Sequence, residues 1–285
     1  MVEIEKYMTS EVAVAPSTET VSYARNLMLK KKFSRVVVVE GEKPVGIITK
    51  KDIARRLGAG SVPWRRRPID TIALTRVMSK NLVTLSPKAS IKKAAELMIK
   101  NNISSVILLD GELVAGIVTK TDLLKAYAEN YAGIFKNREL MSKNVVTASR
   151  HHTVSHLVEL MDENNFGRIV VVDGRKPVGI VTSSDLSFAD VQDRGRGIKI
   201  RRVLYVRKPK QAVRPMYRCI RTFPLAVAED LMSADLLTAF AEDDAAEAAK
   251  SMYKSEISSL PVVSESEDLE GIITKTDIAK GILLG

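Results

Sequence analysis

Four segments of the chain place a threonine three residues before an aspartate: Thr49 and Asp52, Thr119 and Asp122, Thr182 and Asp185, Thr274 and Asp277. Two chemistries fit that spacing. At a helix start the threonine caps the first turn, and the aspartate reaches back to a free amide to complete a capping box. A carboxylate there is also favoured by the helix dipole. The same atoms can instead hold a ligand. An ionised carboxylate accepts two hydrogen bonds, which suits the vicinal hydroxyls of a ribose. The threonine hydroxyl and the open amides of a helix start suit a phosphate. The residues by themselves leave both chemistries open.

The elements that must position these groups recur with fixed spacing. The motif closes a tetrad, Gly46–Thr49, Gly116–Thr119, Gly179–Thr182 and Gly271–Thr274, in each of four repeats. Every repeat opens near a methionine (Met8, Met78, Met141, Met232), and a second follows 20 residues later (Met28, Met98, Met161, Met252). The tetrad glycine comes 18 residues after that, or 19 in repeat four, whose turn is one residue longer. Between the methionines, Ile91, Ala94, Ala95 and Met98 stand at i, i+3, i+4, i+7, as do Val154, Leu157, Val158, Met161 and Ala245, Ala248, Ala249, Met252. That spacing predicts a helix with one apolar face. β-Branched runs follow (Val36–Val39, Val106–Leu109, Ile169–Val172, Leu260–Val263), then turns such as Asp110-Gly111 and a second strand ending at the threonine. The expected unit is β-α-β-β-α, with strands covered on both faces. One unit is too small for a good core, so each should pair with its neighbour, repeat one with two and three with four. The expected limits are 1–62, 70–133, 134–190 and 225–285, with an insertion at 191–224.

With the segments GIITKKD, GIVTKTD, GIVTSSD and GIITKTD at 46, 116, 179 and 271, this pattern resembles the cystathionine β-synthase (CBS) domain family over nearly the whole chain. Four copies make two tandem pairs of the Bateman type. The arrangement is similar to the γ subunit of AMP-activated protein kinase and its stand-alone archaeal relatives. The resemblance implies an α/β fold of paired repeats and a non-enzymatic sensor of AMP, ADP or ATP that signals to a regulated protein. In many CBS pairs the aspartate holds ribose and the threonine lies near the phosphate or sugar; that role carries to the four pairs above. Basic residues just before the first long strand meet phosphates in the family, and here Arg35 and Arg168 hold that position in repeats one and three. Ser104-Ser105 and Ser258-Ser259 replace them in repeats two and four, so a phosphate there must borrow a cation. The walls for an adenine would be Ala13, Val83, Val146 and Leu237 of the first strand together with the Ile or Val residues of the tetrads, all of which equally suit a plain core. S-Adenosylmethionine is an alternative ligand, since a ribose contact does not see the 5′ substituent.

Composition bounds the remaining choices. Of 285 residues 45% are hydrophobic and 27% charged, as in a globular chain with a core. One cysteine excludes an intrachain disulfide framework. No apolar run approaches the roughly 20 residues of a membrane helix, and the N-terminus lacks a signal-peptide order, so a cytoplasmic protein is expected. Two glutamines hint at a thermophile. The net charge of +10 is concentrated: residues 194–221 hold eleven lysines or arginines and no acid. That segment is a candidate for nucleic acid, for an acidic partner, or for a solvated loop. A smaller cluster, Trp64-Arg65-Arg66-Arg67, lies between repeats one and two. His152 and His156 have a chelating spacing, but no cysteine or Glu-x-x-His supports them, and no metal or cofactor is expected. No catalytic constellation stands out. The oligomer is expected to be a closed disk within one chain or a homodimer.

Overall fold

The computed structural model describes residues 2–53, 69–164, 166–183, 185, 204–205, 219–220 and 227–285. The Trp64 cluster and most of the basic insertion lie outside these residues. Each repeat forms a three-stranded sheet. In repeat one a short strand, β1 (Val14–Pro16), runs parallel to β2 (Arg35–Glu40), which turns back into β3 (Lys43–Thr49). Repeat two has the same order in β4 (Thr84–Leu85), β5 (Ser105–Asp110) and β6 (Leu113–Thr119). Repeat three has it in β7 (Thr147–Ser149), β8 (Arg168–Asp173) and β9 (Lys176–Thr182). In the insertion, β10 (Leu204–Tyr205) pairs antiparallel with β11 (Cys219–Ile220). Repeat four orders β12 (Ala239–Phe240), β13 (Ser259–Val263) and β14 (Leu269–Thr274).

Two parallel strands need a crossover, and helices supply it. The helices in chain order are α1 (Val21–Lys30), α2 (Ile91–Lys100), α3 (Lys120–Asn130), α4 (Asn137–Leu140), α5 (Val154–Asn164), α6 (Ala228–Leu231), α7 (Ala245–Lys254) and α8 (Lys275–Leu284). Thr20, Ser90 and Asp244 cap α1, α2 and α7 through their side chains. The predicted apolar stripes are buried: Met28, Met98 and Met252 are at most 1% exposed. Each such side chain contributes about 1.5–3 kcal/mol. Repeat three departs from the expectation, because only Leu157 and Met161 of its stripe are buried and Val158 is 40% exposed. The hairpins turn at Gly41, Gly111 and Gly174, all at positive φ, as the Gly-rich turns predicted.

The chain divides into two compact units. The first comprises Met1–Ser142, Ala239–Val262 and Ile272–Gly285, and the second comprises Lys143–Thr238 and Val263–Gly271. Within the first unit, repeats one and two exchange their opening segments. Thr9 bridges Ile117 of β6, and Ser79 bridges Ile47 of β3. This exchange explains the tetrad glycine. A Cβ on Gly116 would sit 2.9 Å from Met8 Sδ and 3.0 Å from the Thr9 carbonyl, and Met78 lies against Gly46 in the same way. In the second unit Ser233 bridges Ile180, and Met232 covers Gly179. The opening methionine of one repeat thus fills the space left by its neighbour's glycine. The first unit also contains an association that the pairing expectation did not include. α3 packs on α7, and α8 packs on α2 and α3, so repeats two and four share one core. Gly281 permits it, since a Cβ there would lie 2.8 Å from Leu140 Cδ1 and 2.9 Å from Tyr127 Cε2.

Candidate functional site

All four Thr-x-x-Asp motifs stand where a strand becomes a helix. In each, the threonine N–H and hydroxyl both donate to Oδ2 of the aspartate: 2.9 and 2.6 Å at Asp52, 2.7 and 2.8 Å at Asp122, 2.7 and 2.7 Å at Asp185, 3.0 and 2.7 Å at Asp277. The capping chemistry is therefore realised in every copy. It uses one carboxylate oxygen. Among the described residues no hydrogen bond reaches Oδ1 of Asp52, Asp122 or Asp185, whereas Lys280 Nζ lies 3.3 Å from Oδ1 of Asp277. Asp277 is also the most enclosed, at 3% exposure, while the other three are half-buried.

The surroundings of Asp122 are cationic. Arg35, at the start of β2 in repeat one, reaches into repeat two, where Nη1 donates to the Ser104 carbonyl at 3.4 Å. Its Nε is buried and has no hydrogen-bond partner among the described residues. Burial pushes the Arg35 pKa down, and the charge of Asp122 opposes that. Burial raises the Asp122 pKa above the usual carboxylate value; the bonds from Thr119 and the charges of Arg35 and Lys275 pull it back. Lys275 belongs to repeat four. Three repeats thus converge on one carboxylate, and repeat two, lacking its own arginine, borrows Arg35 from repeat one. The sequence marked Arg35 but carried no signal for Lys275, because nothing local to repeat two announces the α2/α3–α8 packing.

The expected adenine walls are placed unevenly. Ala13 and Val83 pack against hydrophobic cores, Val146 is half-buried, and Leu237 is 47% exposed. The tetrad isoleucines Ile47 and Ile117 lie on the opposite sheet faces. Val36 and Val38 point into their repeat's core, so Val37 between them points away, paired in register with Ile47; Ile107 and Ile117 do the same in repeat two. β3 and β6 meet on that side. Arg168 starts β8 and is half-buried. A groove of about 230 Å³ in the second unit, with Lys143 and Arg175 beside Val145, Val172 and Leu269, contains none of the predicted site residues. His152 and His156 touch edge to face at 4.6 Å, and His152 Nδ1 accepts from the Ser149 N–H. Among the described residues no three His, Cys, Asp or Glu side chains cluster as metal ligands, and no helix is long and apolar enough to cross a membrane.

Repeated sheets, exchanged openings and capped strand-to-helix junctions define a chain of tandem CBS modules. The CBS domain family model matches residues 4–59, 74–129, 138–191 and 227–284, and the chain belongs to that family. The uncharacterised protein MJ1225 of Methanocaldococcus jannaschii is 27% identical over 94% of both chains. Its crystal structure, described as that of a proposed archaeal homologue of γ-AMPK, superposes with a TM-score of 0.72 at 24% identity, covering 98% of this chain and 99% of that one. An uncharacterised conserved protein from Pyrococcus horikoshii superposes with a TM-score of 0.68 at 20% identity over 99% of this chain and all of that one. The L-aspartate semialdehyde sulfurtransferase of M. jannaschii is 40% identical, but over 39% of this chain and 22% of that enzyme.

Proposed function

We propose that the protein is a non-catalytic sensor of adenine nucleotides, with AMP, ADP or ATP bound at the strand-to-helix junctions. The observation that carries this reading is the convergence on Asp122: among the described residues, a capped carboxylate with Oδ1 left over, beside a half-buried Arg35 whose Nε is buried and has no hydrogen-bond partner. Oδ1 takes a ribose hydroxyl without disturbing the cap, and Arg35 takes the phosphate. Among the described residues Asp52 and Asp185 also have one oxygen unengaged, and they hold ribose in their own repeats, with Thr49, Thr119, Thr182 and Arg168 near sugar or phosphate. Asp277 with Thr274 is the weakest site, because its second oxygen faces Lys280. The base lies between Val37, Ile47, Ile107 and Ile117 in the first pair, with the first-strand residues Ala13 and Val83 behind; Val146 and Leu237 are the first-strand residues offered to a base in repeats three and four. The ligand bridges repeats and shifts their packing, which a protein partner reads.

Calorimetry with AMP, ADP, ATP and S-adenosylmethionine tests this on the wild type and on Asp→Ala variants at 52, 122, 185 and 277. The expected result is binding of at least one adenine nucleotide, lost first in D122A. Equal binding by all four variants overturns it; a preference for S-adenosylmethionine keeps the site and changes the ligand. Nucleic-acid binding by 194–221 remains the alternative that the sequence raises. It would weaken steeply with salt, unlike a single nucleotide in a cleft.

A further inference from the structure

Two lysines are exchanged between repeats two and four. Lys120, the first residue of α3, donates to Thr276 Oγ1 of α8 at 2.9 Å, and Lys275, the first residue of α8, donates to Thr121 Oγ1 of α3 at 2.8 Å. Both bonds are half-buried, and each sets an ammonium beside the amino end of the opposite helix. That is an unfavourable place for a cation and a favourable one for an anion between them. The two sides are not equivalent. Lys275 faces Asp122, which has a spare oxygen and Arg35 nearby. Lys120 points to the start of α8, where Asp277 is buried and engaged by Lys280.

We propose that Lys275 is a binding residue of the repeat-two pocket: it leaves Thr121 for the phosphate of the bound nucleotide and thereby couples occupancy at Asp122 to the seating of α8 on α2 and α3. The identity of the ligand rests on the reading of Asp122 given above, but the exchange itself needs only a phosphate. An ammonium–phosphate bond is stronger than an ammonium–hydroxyl bond, so arrival of the anion drives the trade. The helix that moves with Lys275 is part of the shared core, so the change is carried into repeat four rather than ending at a surface side chain. Lys275 adds a second cation to the Arg35 that stands in for the basic residue absent at Ser104-Ser105.

The test compares adenosine, AMP and inorganic pyrophosphate on the wild type, K275Q, K275R and K120Q. K275Q should weaken AMP and pyrophosphate by roughly 10-fold or more and leave adenosine unchanged. K275R should recover most of the loss, and K120Q should stay within about 2-fold of the wild type, although it also removes one Lys–Thr bond. Hydrogen exchange in 275–284 should respond to AMP in the wild type and not in K275Q. If adenosine fails to bind and D122A leaves AMP unaffected, the ribose assignment falls while a Lys275-dependent pyrophosphate signal still supports the exchange. Wild-type and K275Q proteins binding pyrophosphate and AMP alike, or a wild type that binds neither, would overturn it.

Discussion

Repeats two and four carry the same helix start, Lys-Thr-Asp followed by two apolar residues and a lysine, yet the two carboxylates have different company. In repeat four Lys280 folds back one turn onto Asp277. In repeat two the equivalent Lys125 is directed elsewhere: it stands 6.0 Å from the Tyr7 ring centroid, and Glu129 draws it electrostatically. Tyr7 comes from the opening segment of repeat one and is fixed by hydrogen bonds to Glu129 and from Asn130. The lysine that meets Asp277 in repeat four thus lies near Tyr7 and Glu129, outside the motif, in repeat two. The motif sets the cap, and the neighbours set what the cap can bind.

Removing each carboxylate in turn should separate the two repeats most widely. D122A should lose nucleotide affinity by roughly 100-fold, with a stability cost near or below about 1 kcal/mol. D277A should do the reverse, costing about 1–2 kcal/mol because an enclosed acceptor is lost, with little change in the tightest binding. Titration calorimetry and urea unfolding separate the two, and an exchange of these outcomes would refute the distinction. A smaller effect concerns the shared core. Gly281→Val forces Leu140 and Tyr127 aside and should destabilise by about 1–3 kcal/mol in urea unfolding. A change near zero would mean that the α8 contact is not tight. The smallest effect is a pH dependence. The folded pKa of Asp122 lies above its unfolded value, so its contribution to stability is present in full below the unfolded pKa and is lost as pH rises through the folded one. The stability of the unliganded wild type relative to D122N should therefore increase as pH falls from 6 to 3. A decrease would mean that the attraction of Arg35 and Lys275 outweighs the burial of the carboxyl.

Much of the architecture was legible because each repeat restates it. The methionine spacing, the helix stripes and the Gly turns are local signals that recur four times, and Met98, Gly111 and the cap at Thr119 sit where that periodicity predicts. The exchange of openings was not legible. Met8 and Gly116 each looked like features of their own repeat, and only packing shows that one fills the place of the other's missing Cβ. The repeat-two and repeat-four core was hidden for a similar reason. An apolar helix face states that it will be covered but not by what, and Tyr127 and Gly281 are 154 residues apart in the chain. At the site, Asp122 and Arg35 were visible as residue types at motif positions, whereas Lys275 became part of the set through tertiary packing alone.

In the proposed site Asp122 holds a ribose while it continues to cap its helix. A crystal of the protein grown with AMP measures this directly. The expected density is a nucleotide whose ribose hydroxyls lie within hydrogen-bonding distance of Asp122 Oδ1, with the Thr119 bonds to Oδ2 preserved and the phosphate on Arg35. A junction left empty at saturating AMP, or a nucleotide bound with its sugar turned away from the carboxylate, would contradict it.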